Sequence, residues 1–274
     1  MWRSVVEIYY TLFFIFGVCI GSFCNVLICR MPLGESTIYP PSHCPKCKQN
    51  LKYIHNIPLF SWIFLGGRCA FCKTKISIIY PLVELACGIF AMTGLYLGEG
   101  LVNSAFLGLC FILLFTLSII DFKHNAVPEI LLVSAYFFAV FSVPNLTFNI
   151  LDGDFYRSPI IVSFIFAGGI TIIKNIASAW INRKHNGEII ETMGDADSII
   201  IAIIGLLLGV KLGVIAILLA GILQIILHII LRIKSNRTEA PFIPSLSFAL
   251  FLVMIFRDFF LELFDIYTKF MGLK

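Results

Sequence analysis

Eight apolar runs constrain this chain more than any other feature. They lie near residues 5–28, 76–97, 101–120, 130–143, 160–181, 199–210, 212–231 and 248–264. A helix crossing about 30 Å of hydrocarbon needs about 20 apolar residues, and most of the runs meet or approach that length. The fourth and sixth are short, so they either extend through polar ends or break beside a cavity, where protein or water can satisfy the backbone. Composition agrees: 59% of residues are hydrophobic and 13% charged, against about 25% charged in soluble domains. The first run carries Glu7 and leads into Gly21, Ser22 and Asn25 rather than a cleavage site of small residues, so it reads as a retained span. The expected fold is an all-α polytopic membrane protein of about eight transmembrane helices. It divides into a first span (1–30), a soluble insertion (31–75) and a helix bundle (76–274).

Orientation follows from the basic residues, which are retained on the cytoplasmic side. Segments 30–75, 121–129, 174–198 and 232–239 hold 14 of the 20 Lys and Arg residues. Those segments are expected inside, and both termini outside. The net charge of +4 reflects this bias and gives no reason to expect nucleic-acid binding. Arg232, Lys234 and Arg237 form a basic turn suited to anionic lipid headgroups. Asp152 and Asp154 fall in an outer loop and read as solvated.

The insertion carries Cys44-Pro45-Lys46-Cys47, then 21 residues, then Cys69-Ala70-Phe71-Cys72. Two such knuckles supply the four thiolates of a tetrahedral zinc site, and a reducing compartment disfavours disulfides. Four protein ligands leave no open position on the metal. Its role is therefore structural, in a loop of about 45 residues too small to fold on its own core. His43 and His55 read as surface histidines. Cys19, Cys24 and Cys29 read as buried thiols, and no internal repeat stands out.

Acids at the mouths of apolar runs are costly unless paired or hydrated, and so mark function. Asp121 ends the third run, and Asp195 and Asp197 precede the sixth. On the expected topology Asp121 and Asp197 share the cytoplasmic boundary. Two adjacent carboxylates cannot easily both ionise, so they hold one proton between them and can act as base and acid on a peptide bond. No HExxH motif or Ser/His/Asp arrangement competes. A proton-coupled transporter, or a zinc-bearing scaffold without activity, would carry similar acids. Glu84, about two turns into the second run, either closes a polar network between helices or serves a site. Asn25 either packs between helices or lines a substrate groove.

The chain closely resembles the type IV prepilin peptidase family, the leader peptidase/N-methyltransferases of bacterial type IV pilus and type II secretion systems. The likeness rests on Gly21-Ser22-Phe23-Cys24-Asn25-Val26 with Arg30-Met31-Pro32, the paired knuckles, Asn56 to Trp62 between them, and Tyr80-Pro81-Leu82-Val83-Glu84 after them. The family's two catalytic patterns fall on Ile120-Asp121 through Pro128-Glu129 and on Gly194-Asp195-Ala196-Asp197. Ala196 replaces a glycine, and Ile199 stands where the family commonly has a lysine. The register through Gly194, Gly205 and Gly209 selects Asp197, with Asp195 and Gly194 as accessory residues. The resemblance implies a bacterial inner-membrane aspartyl peptidase with its site at the cytoplasmic face. It would cut prepilins or pseudopilins after a glycine that precedes an apolar helix, and would methylate the new amine from S-adenosylmethionine. A related intramembrane protease with other substrates is disfavoured by the double knuckle. For the methyl-transfer site, the segment around Gly21 to Val26 and Glu84 are the candidates.

Overall fold

The structure, a computed structural model, describes residues 2–144, 158–183, 194–235 and 240–271. The loop with Asp152 and Asp154, the segment through Glu191, and Arg237 lie outside them. Helices α1 (Trp2–Arg30), α3 (Ile79–Leu97), α4 (Leu101–His124), α5 (Glu129–Ser142), α6 (Pro159–Asn182), α7 (Asp195–Ser235) and α8 (Ile243–Ile255) form the bundle. A short α2 (Phe60–Phe64) lies in the insertion, and α9 (Arg257–Phe270) ends the chain. Among the described residues there are no strands, only isolated bridges in the insertion.

Eight apolar helical segments result once α7 is divided at Gly209, whose φ of 69° interrupts the helix. The chain reverses there. A Cβ at Gly213 would lie 3.8 Å from Ile204 Cγ2, whereas nine residues of straight helix rise about 13.5 Å. Phe166 of α6 fills this hairpin, its ring against both Gly205 and Gly213. The first arm of α7, like α5, has 14 residues from its first residue to its last before the turn, about 21 Å of helix. That arm takes in Asp195 and Asp197, so the sixth run does extend through a polar end. Glycine also sets the α1–α3 contact. A Cβ at Gly21 would stand 2.8 Å from Glu84 Cα, so only glycine permits this approach.

Three expectations are corrected. The eighth run is two helices: the bundle helix begins at Ile243, because Pro244 is tolerated in a first turn, and it stops at Phe256 before the charged pair Arg257-Asp258. In α9 the charges at Asp258, Glu262, Asp265 and Lys269 recur at helical spacing along one face, so this segment does not continue the span. Of the α1 cysteines only Cys24 is buried; Cys19 and Cys29 are exposed, because a spacing of five turns each onto a different face. The insertion does contain a duplication, described below.

The core lies where α4, α5, α7 and α8 meet, around Leu117, Ile120, Ala135, Ile200, Ile203, Leu246 and Leu250. Rigid packing there fixes the ends of α4, α7 and α8 relative to one another.

Candidate active site and metal centre

Asp121 sits one turn before the end of α4, which closes at Asn125 in the left-handed conformation. Asp197 is the third residue of α7. Both side chains lie at one end of the bundle, close enough for the charge of Asp121 to act on Asp197. Asp121 is 8% exposed and Asp197 7%. The N–H of Ile243, opening α8, donates to the Asp121 carboxylate. Gly194 donates its N–H to Asp197. Three helices, with Gly194 just before α7, thus hold the pair.

Asp195 does not join it. Its side chain is 98% exposed and ion-paired to Lys174 of α6, whose side chain is 10% exposed. Lys174 also acts electrostatically on Asp197. It is the lone charged residue within α6, which was a legible signal in the sequence. Lys174 thus brings a positive charge toward Asp197 from another helix. Ile243 left no such signal, since its role is a backbone N–H.

Glu84 and Asn25 have other partners. Glu84 accepts the N–H of Leu59 at 2.7 Å and a hydrogen bond from Ser22; Asn25 donates to the Tyr80 carbonyl at 3.1 Å. Leu59 has a φ of 61°, a costly conformation for a β-carbon residue that the Glu84 bond helps hold. These two residues therefore tie the insertion and α1 to α3.

In the insertion the sulfurs of Cys44, Cys47, Cys69 and Cys72 all lie within 4.8 Å of one another. Cys44 and Cys72 are 3.8 Å apart, which is the edge of a tetrahedron with metal–sulfur bonds of about 2.3 Å. The knuckles repeat each other. Lys48 and Lys73, each four residues after a first cysteine, have φ of 58° and 56°, and the bridges His43–Asn50 and Arg68–Lys75 close equivalent turns. Turn N–H groups favour thiolate: that of Cys47 lowers Cys44, and that of Thr74 draws Cys72 down to about 6. Although the Gln49 N–H lowers Cys47, desolvation and its three neighbouring thiols push it up to about 11. Four clustered thiolates need a cation, and the sulfur donors and spacing fit zinc.

Comparison with known proteins adds independent information. Residues 15–97 match the family described as the bacterial peptidase A24 N-terminal domain. A prepilin leader peptidase/N-methyltransferase of Vibrio cholerae is 34% identical over 212 residues, covering 73% of this chain and 78% of that protein. One of Dickeya chrysanthemi is 31% identical over 215 residues, covering 69% and 71%. A third, of Myxococcus xanthus, is 50% identical over 76 residues, or 28% of this chain and 23% of that protein. No solved structure matches significantly.

Proposed function

This chain belongs to the prepilin leader peptidase/N-methyltransferase family, and from that premise we propose that it is a membrane aspartyl endopeptidase removing the leaders of prepilins or pseudopilins. The observation that supports the reading is that Asp121 and Asp197, on separate helices, lie close enough for the charge of Asp121 to act on Asp197. The ionised member of the dyad takes a proton from water as its oxygen attacks the scissile carbonyl carbon. The protonated member gives its proton to the carbonyl oxygen. As the tetrahedral intermediate collapses, the carbon–nitrogen bond breaks and the leaving amine takes the proton drawn from water. The hydroxyl proton of the intermediate returns to the second carboxyl, so the dyad ends with one shared proton, as it began. Its pH dependence belongs to the pair rather than to either residue. Lys174 and Asp195 hold the start of α7, and the Ile243 and Gly194 N–H groups orient the carboxylates.

Zinc at the four cysteines has a structural part in this reading, since every ligand position is filled by the protein. The site faces the cytoplasm, in keeping with the distribution of basic residues. N-methylation of the new terminus from S-adenosylmethionine is carried over from the relatives' names. Of the residues suggested for it in the sequence, Gly21 is packed on Glu84 Cα, and Asn25 and Glu84 are engaged by Tyr80 and Leu59. The deciding experiment is mass spectrometry of pilins from cells with and without this protein. Leaders retained in its absence and removed in its presence support the peptidase. Identical pilins in both refute it, and trimmed but unmethylated termini refute methyl transfer alone.

A further inference from the structure

The insertion turns an apolar face outward. On α2, Phe60, Ile63 and Phe64 recur at three- and four-residue spacing, which puts them on one side of the helix. They are 61%, 66% and 83% exposed, and the rings of Phe60 and Phe64 stack on each other. Trp62 points the other way. A Cβ at Gly67 would lie 2.9 Å from its ring, and its indole N–H donates to the Ile76 carbonyl at 3.3 Å. One side of α2 is thus packed into the insertion, and the other is left uncovered. Exposed apolar clusters of this kind mark interaction surfaces.

Two hydrogen bonds set the level of this face. Leu59, just before α2, donates its N–H to Glu84, which lies five residues into α3, about 7.5 Å along that helix. The Trp62 bond ends on Ile76, three residues before α3 begins. Helix α3 is long and apolar enough to cross a membrane, so α2 straddles the level at which α3 enters the hydrocarbon. Ile79 and Leu82 at the start of α3 are exposed as well. Apolar surface is therefore presented by both elements at headgroup depth, where aromatic side chains are favoured.

Charge selects the occupant. Residues 31–75 hold six basic side chains, Lys46, Lys48, Lys52, Arg68, Lys73 and Lys75, against one acid, Glu35. All six are exposed. Arg68 and Lys75 face each other in a backbone bridge beside the hydrogen bond from the Ile76 N–H to the Gly67 carbonyl, which puts them next to the segment that anchors α2. A second copy of the chain would bring the same positive surface against itself, and any protein on this face would have to displace lipid from beside α3. We propose that α2 and these basic residues form a docking surface for anionic phospholipid. Phe60, Ile63 and Phe64 enter the boundary between headgroups and acyl chains, and Arg68 and Lys75 meet the phosphates. The proposal is independent of the reaction at the dyad.

The test uses the full-length protein in nanodiscs of equal parts phosphatidylcholine and phosphatidylglycerol, with the photo-reactive residue p-benzoylphenylalanine in place of Phe64. Mass spectrometry after irradiation counts the adducts of each lipid. The same probe in place of Leu218, an exposed apolar residue within α7, reports the bilayer at large. Position 64 is expected to react with lipid, and its ratio of phosphatidylglycerol to phosphatidylcholine adducts should exceed that at position 218 by about threefold or more. Arg68→Gln with Lys75→Gln should bring the ratio back toward that at position 218, while unchanged protease resistance of residues 31–75 shows that the insertion is still folded. Raised salt should do the same without any substitution of the basic residues, and it decides alone if the double variant loses that resistance. The proposal is overturned by the absence of lipid adducts at position 64, or by adducts to a second copy of the chain or to an added prepilin in their place. A ratio equal to that at position 218, or one that neither the substitutions nor salt lowers, overturns it as well.

Discussion

At the scale of single residues, the acids divide by what surrounds them. Asn keeps the shape of Asp but can neither ionise nor pass on a carboxyl proton. Asp121→Asn and Asp197→Asn should each lower cleavage in vitro by roughly 10²–10⁴-fold or more while the protein still inserts in the membrane. Normal cleavage by both variants would end the aspartyl mechanism. Asp195 is solvent-exposed and stands apart from the dyad, so Asp195→Asn should retain most activity. Lys174→Met is different, because it removes the positive charge acting on Asp197. Without it the ionised carboxylate is disfavoured, so the acid limb of the pH–rate profile should move to higher pH. Lys174→Arg should keep the wild-type profile. A loss of rate with no shift in profile would assign Lys174 a purely structural part. The sequence made Asp121 and Asp197 conspicuous because carboxylates at the ends of apolar runs need a reason. It made Lys174 equally conspicuous inside α6, but only packing could say which acid it would meet. The Ile243 N–H was illegible, because every residue except proline has one.

Among the elements, the knuckle insertion was the most legible and the end of the bundle the least. CxxC spacing is a local rule, and it picked out all four sulfurs that the fold gathers. The duplication was also present, in Cys-x-x-Cys-Lys at both places, but its equivalence depends on the left-handed conformations of Lys48 and Lys73, which are uncommon for side chains of that kind. Zinc is expected at one ion per chain, measurable by metal analysis of protein purified without chelator. Cys44→Ser with Cys69→Ser should abolish binding and expose residues 31–75 to protease, since that segment has little core of its own. Metal-free wild-type protein with a protease-resistant insertion would refute the structural role. The pH dependence has a definite sign. In the metal-free fold the Cys72 thiol titrates near 6, below its ordinary 9.0, so its contribution to stability is complete above about pH 9 and is lost as pH falls through about 6. Protons compete with zinc for the same thiolates, and zinc affinity measured from pH 8 to 5 should fall most steeply in the acid part of that range. The last helix was misread for a different reason. Apolar content runs on through residues 248–264, but the charges of α9 recur on one helical face, and that periodicity rather than hydropathy distinguishes an interfacial helix from a span.

For the whole molecule, the count of eight spans survives only because Gly209 divides α7, and an even count puts both termini on one side. Charge chooses which side. The structure adds a constraint that counting cannot supply: Lys211, two residues after the turn at Gly209, stacks its ammonium 5.3 Å from the centre of the Phe264 ring. Helix α9 therefore lies against the end of the α7 hairpin opposite to Asp197. If the dyad faces the cytoplasm, α9 rests on the outer surface, with Phe259, Leu263 and Ile266 exposed toward lipid. The test is labelling of intact cells with an impermeant maleimide, using single cysteines at Lys123 and Glu262 in a background where the exposed Cys19 and Cys29 are replaced. Glu262→Cys should react from outside, whereas Lys123→Cys, two residues past Asp121, should react only after the membrane is opened. The four knuckle cysteines remain in place to hold zinc, and the same protein with no added cysteine sets the background before and after opening. Reaction at position 123 in intact cells would invert the topology and place the dyad on the outer face, where a substrate whose leader stays in the cytoplasm could not present its scissile bond.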